Sequence, residues 1–164
     1  QPTLGAVYKL VAIEDEDGQL VDTIKISNNV GKMSTPGKKQ VWRINDRGDG
    51  KSEGDYITLV DEDPRNEKSL NMFNPNFPLQ QKDVEDFTAR PMLKPIWQDG
   101  KYVYDEPTLE ESRQHRFDSL NALWDEYKRD LNPEVYPVDL SQKCYDNKLK
   151  LIHQVHEYVK SLNK

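Results

Sequence analysis

Apolar residues in this chain come in short runs broken by Asp-Gly, Asn or Pro, and they recur at helical spacing only beyond Thr108. Short or alternating runs suit strands, whereas a helix needs its apolar stripe every three or four positions. The pattern therefore predicts sheet first and helix last. Ala6 to Ile13, with Val7, Tyr8, Leu10 and Val11, reads as a strand buried on both faces. Asp17-Gly18 turns the chain into a second strand over 21–27, giving a hairpin. Residues 28–39 carry three lysines, two glycines and a proline with hardly any apolar side chain, the composition of a loop. Val41, Trp42 and Ile44 mark a further strand and Tyr56, Ile57 and Leu59 another, joined through the turn residues 46–50.

After Val60 the sequence turns polar, and 69–81, with Met72, Phe73, Phe77 and Leu79 among Asn and Pro, reads as an irregular connector. Residues 87–97 alternate in part. Gln98-Asp99-Gly100 reverses the chain into a short strand over 101–104. Thr108 and Glu111 form a capping-box pattern, in which hydroxyl and carboxylate satisfy the free amides at a helix start. Leu109, Phe117, Leu120, Trp124, Tyr127 and Leu131 continue that helix to Asn132-Pro133. A last helix starts near Ser141 with the stripe Tyr145, Leu149, Ile152, Val155, Val159 and Leu162. The expectation is an α+β fold: an antiparallel β-rich amino-terminal portion followed by a small hairpin-plus-two-helix carboxyl-terminal domain. The divisions fall at 1–60, 61–80 (connector) and 81–164, with the two helices packed through their stripes.

No apolar stretch is long enough to cross a bilayer, and no basic flank with an apolar run opens the chain. Cytoplasm is the expected compartment. Gln1 stands where a start methionine would, and an apolar run begins at Ala6, so preceding residues are expected to have been removed. A single cysteine, Cys144, allows neither an internal disulfide nor a cysteine metal cage, and it reads as a structural thiol. His153 and His156 stand three apart but have no acidic partner to complete a ligand set, so they read as surface residues. There is no phosphate-loop, dinucleotide or serine-elbow motif, hence no catalytic constellation and no metal site.

The main anomaly is electrostatic. The chain carries a net charge of −6, yet Lys25, Lys32, Lys38, Lys39, Arg43 and Arg47 face a single acid, Asp46, between residues 25 and 47. Lysines on a Gly/Pro loop can converge on a phosphate, because turn amides add donors to their charge. The competing reading is a solvated loop that keeps a sheet edge from pairing. A self-contained binding module is a further alternative, offering this segment and a stacking Trp42 to phosphate or single-stranded nucleic acid. The overall negative charge opposes nucleic acid as a partner.

Leu4 to Ile13, Ile24 to Ser27 and K-M-S-T-P-G-K-K-Q-V-W-R (Lys32 to Arg43) resemble the late part of nicotinate phosphoribosyltransferases. L-K-P-I-W-Q-D-G-K-Y-V-Y (Leu93 to Tyr104), P-T-L-E-E-S-R (Pro107 to Arg113) and Y-P-V-D-L-S (Tyr136 to Ser141) resemble the same family in the same order. The acidic residues near Glu14 and the polar stretch 46–53 depart from it as loops do. The resemblance implies an enzyme of NAD synthesis that joins nicotinate to 5-phosphoribosyl 1-pyrophosphate with the help of ATP and Mg²⁺. It also implies that the catalytic residues lie in an upstream barrel domain of the same polypeptide, so that the fragment alone binds no cofactor and is inactive. By that resemblance Lys32, Lys38, Lys39 and Arg43 are the candidate substrate-phosphate contacts, and a homodimer is expected.

Overall fold

The computed structural model describes residues 5–162, the side chain of Val30 excepted. Gln1 and Leu4 lie outside the described residues. The chain divides into two compact units, a terminal unit of residues 1–39 with 142–164 and a central unit of residues 40–141.

The central unit is built on one sheet. Its strands are β3 (Lys39–Asp46), β4 (Ser52–Leu59), β5 (Ser69–Asn74), β6 (Phe77–Glu85), β7 (Phe87–Pro91) and β10 (Val138–Leu140), in the order β6-β5-β10-β4-β3-β7. Alternation decides which face is covered. Trp42 and Ile44 on β3, Tyr56 on β4, Leu70 and Met72 on β5, Val84 on β6 and Phe87 on β7 form a single core, with Ala89 packed against it. Thr58 is buried among them, and its Oγ1 accepts a 3.0 Å hydrogen bond from Trp42 Nε1, so the indole donor does not go unsatisfied. Besides the sheet the central unit holds the small hairpin β8 (Trp97–Gln98) and β9 (Lys101–Tyr102), turning at 98–101 as expected, and the helix α1 (Leu109–Asn121).

In the terminal unit β1 (Ala12–Glu14) and β2 (Leu20–Asp22) form the hairpin expected around Asp17-Gly18, and α2 (Gln142–Leu162) supplies the helix. The whole is α+β, mostly sheet with two helices.

Several expectations need correction. The strand expected over 6–13 is regular only from Ala12, and the one over 21–27 is β2 alone, 20–22. Val7 and Tyr8 are 84% and 87% exposed. Apolar content does not make a strand without a neighbour, and among the described residues β2 is the only strand that pairs with β1. Residues 69–81 are not irregular: Ser69 to Asn74 and Phe77 to Glu85 pair antiparallel, Leu70 with Val84 and Met72 with Lys82. The Asn and Pro residues that suggested a connector include the tip of this hairpin.

α1 has its Thr108–Glu111 capping box but stops at Asn121, ten residues short of Leu131. Its last carbonyls are already taken: Ser52 N donates to Ala122 O at 2.8 Å and Lys51 Nζ to Asn121 O at 2.8 Å. A short 3-10 turn, Asp125–Lys128, follows instead. No residue of α1 is buried: Phe117 is 54% exposed, and Trp124, expected on the same helix, lies beyond its end and is 39% exposed. Finally, nothing in the local pattern marks β10 as a strand. It runs parallel to β4 (Asp139 beside Tyr56) and antiparallel to β5, in the middle of the sheet.

Candidate functional site

In the terminal unit the basic loop is a folded object. Ser34, almost fully buried, closes it: Lys25 N donates to Ser34 Oγ at 2.8 Å and Ser34 N to Lys25 O at 3.2 Å. Asn29 Oδ1 accepts from Gly31 N at 3.0 Å, an Asx turn that leads into the 3-10 turn Val30–Lys32. Lys9 Nζ donates to the carbonyls of Gly31 and Met33, both at 3.3 Å, and so ties the loop to the apolar segment before β1. Gly37, at φ 91°, donates its amide to Val11 O at 2.9 Å, a conformation for which a residue without Cβ is suited.

The lysines of this loop are not equivalent. Lys32 and Lys38 are exposed, and among the described residues their ammonium groups have no acidic or carbonyl partner. Lys39 is half-buried and donates to Thr35 O, at 2.6 Å, and to Gly37 O. Burial lowers its pKa, with Cys144 and Asp22 pulling the other way. Cys144 is fully buried, and four residues along the same face of α2 Lys148 is buried too, its pKa lowered by desolvation. His153 and His156 are exposed on α2.

In the central unit Arg43 is already committed. Its Nε and Nη2 donate to Asp55 Oδ1 and Oδ2 at 2.9 and 3.2 Å, and the guanidinium lies 5.6 Å from the Tyr136 ring centroid. Tyr136 Oη donates to Asp55 Oδ1 at 3.1 Å and stands 2.5 Å from Ser52 Oγ. The hydrogen bonds that Arg43 donates to Asp55 come first in raising the Arg43 pKa, while burial is the first cause raising that of Tyr136. Arg47 Nε pairs with Asp86 at 3.0 Å, and its Nη2 donates to Phe87 O. Trp42, expected as a stacking platform, is 5% exposed, with Arg65 5.1 Å from its ring centroid. It has no open face to offer a base.

The partners of Arg43 were out of reach of sequence reasoning, since Tyr136 lies 84 residues from Ser52 and 81 from Asp55. The role of Lys9 was hidden by its place in an apolar run. Among the described residues no group of three or more His, Cys, Asp or Glu is placed to hold a metal ion, and no helix is long and apolar enough to cross a membrane.

Comparison with known proteins agrees with this architecture. The family described as the nicotinate phosphoribosyltransferase C-terminal domain matches residues 38–148. A nicotinate phosphoribosyltransferase of Bacillus subtilis (strain 168) is 50% identical over 155 residues, covering 94% of this chain and 31% of the relative. One from Caenorhabditis elegans is 32% identical over 147 residues, covering 88% of this chain and 25% of that protein. The crystal structure of human nicotinic acid phosphoribosyltransferase superimposes with a TM-score of 0.62 at 25% identity, over 74% of this chain and 23% of the human one. The chain belongs to the nicotinate phosphoribosyltransferase C-terminal domain family. It spans between a quarter and a third of the length of these curated relatives.

Proposed function

We propose that these residues are the carboxyl-terminal portion of a nicotinate phosphoribosyltransferase. The enzyme condenses nicotinate with 5-phosphoribosyl 1-pyrophosphate, using ATP and Mg²⁺, to form nicotinate mononucleotide for NAD. The identity of 50% to the Bacillus subtilis relative over nearly the whole chain carries this reading. The catalytic residues and the nucleotide and metal sites belong to a barrel domain of the same polypeptide, and the intact protein works as a homodimer in the cytoplasm. Alone, residues 1–164 are inactive.

Within that enzyme the basic loop supplies positive charge to the substrate phosphates. Lys32 and Lys38 are the direct contacts, because their ammonium groups are exposed and have no competing partner among the described residues. Lys39, whose donors hold two loop carbonyls, and Arg43, held by Asp55, act through the field they add and the backbone they fix. A cation set beside a pyrophosphate favours the charge that grows on it as the bond to ribose breaks.

Replacing Lys32 and Lys38 together by Ala in the full-length enzyme should raise KM for phosphoribosyl pyrophosphate by about tenfold or more, the worth of a charge-assisted hydrogen bond. KM for nicotinate should stay in place. Equal kinetics in parent and variant would remove the site assignment. Turnover by purified residues 1–164 with nicotinate, phosphoribosyl pyrophosphate, ATP and Mg²⁺ would remove the claim of inactivity.

A further inference from the structure

The terminal unit has no apolar core of its own. Its buried residues, among those described, are Ser34, Pro36, Gly37, Cys144 and Lys148, with no large aliphatic or aromatic side chain among them. The central unit, by contrast, encloses the whole cluster from Trp42 to Phe87. Burial of apolar surface is what holds a folded unit together, so this one lacks part of its packing. The face that goes short of cover is on α2. Cys144, Lys148, Ile152, Val155, Val159 and Leu162 follow at steps of three and four residues and share one side of the helix. The first two are buried, Ile152 and Val155 half-buried, and Val159 and Leu162 are 48% and 65% exposed. Lys150, His153 and Glu157 take the opposite side and are exposed. The apolar face is thus seated at its start and runs out of cover towards its end.

We propose that the uncovered half of this face, Ile152 to Leu162, docks against the polypeptide that precedes Gln1. The terminal unit then completes a domain begun upstream, and the central unit is an insertion in that domain. This inference rests on reading these residues as the carboxyl-terminal portion of a longer enzyme. Two observations favour that occupant over a second copy or a separate partner. The Bacillus subtilis relative is matched over 31% of its length, so the larger part of such a polypeptide lies outside these residues. The family described as the C-terminal domain matches 38–148, close to the bounds 40–141 of the central unit, and the uncovered half of α2 falls outside it. A segment of the same polypeptide also meets the face at high effective concentration, so that a contact of modest area holds.

Cysteine labelling of the full-length polypeptide tests this, with Val159→Cys, Leu162→Cys and, on the exposed side, His153→Cys made one at a time. Peptide mass spectrometry reads maleimide uptake at each site. Positions 159 and 162 should label about tenfold or more slowly than 153, since a thiol in a packed interface meets the reagent only when the interface opens. Equal rates at the three positions would overturn the docking. Should Val159→Cys unfold the protein, Leu162→Cys, in the last turn, carries the comparison. A succinimidyl diazirine attached to Lys160 in the unsubstituted protein then inserts into the residue beside it, in a mixture of isotopically heavy and light copies that have exchanged subunits. A link within one copy to a residue before Gln1 supports the proposal; links only between heavy and light copies, or none to upstream residues, overturn it. An active enzyme with equal labelling sinks the docking alone. Protected positions in a long polypeptide that never turns over nicotinate sink the phosphoribosyltransferase reading alone.

Discussion

Asp55 joins distant parts of the central unit, accepting two hydrogen bonds from Arg43 and one from the Tyr136 hydroxyl. The side chains of the pair are only 19% and 17% exposed, so removing the acid leaves the guanidinium without its carboxylate and the Tyr136 hydroxyl with Ser52 Oγ alone. Asp55→Ala should lower stability by about 2 to 4 kcal/mol in urea unfolding; a loss under about 1 kcal/mol would mean that water screens the pair as it does at a surface. Asp139 behaves in the opposite sense. Burial raises its folded pKa above the ordinary 3.8, and the charge of Lys82 offsets this only in part. The native state thus holds that proton more tightly than the unfolded one. Ionised Asp139 costs stability that is absent in acid, grows as pH rises from the unfolded value through the raised folded value, and stands in full above it. Asp139→Asn should therefore be more stable than the parent at pH 7, with the difference closing below about pH 4. Parallel melts across that range would show it, and a variant less stable at pH 7 would refute the sign.

At the scale of elements, the arrangement turns on how β10 enters beside β4. Gly54 on β4 has φ +144°, and a Cβ there would stand 3.1 Å from Pro137 Cβ, 3.2 Å from Pro137 O and 3.3 Å from Met72 Cε. The residue is a gap through which the approach to β10 passes, and Asp55 N to Pro137 O, at 3.0 Å, is the first bond made beyond it. Gly54→Ala should cost about 2 kcal/mol or more, from backbone strain and the crowded proline together. Amide exchange at Asp55 and Ile57, beside β10, should quicken more than at Ile44 and Asn45 on β3. Uniform quickening would point to general loosening of the core. Local pattern served well where an element closes on itself: the turn at 46–50, the reversal at Asp99-Gly100 and the Thr108 capping box were all legible. It failed for β10, because three residues with an acid in the middle become a strand only when two others flank them.

For the whole molecule, the exposed apolar residues before β1 are the most informative. Val7 and Tyr8 lie open together with Leu10, although their sequence reads as a buried strand. Exposed clusters of this kind are usually covered in the functional assembly. In the full-length enzyme we propose, the upstream domain covers them. Hydroxyl-radical footprinting should find Tyr8 protected several-fold there relative to residues 1–164 alone, and equal labelling would contradict that assignment. What the amino-acid sequence determined by itself is local: turns whose backbone demands are met within a few residues, the helix cap, the α+β class and the basic loop with its family likeness. Tertiary structure alone decided which lysines keep a free ammonium, that Arg43 belongs to Asp55, and that Asp139 is buried. Those outcomes depend on the burial and partnering of groups many tens of residues apart, and neither composition nor periodicity encodes which partner wins.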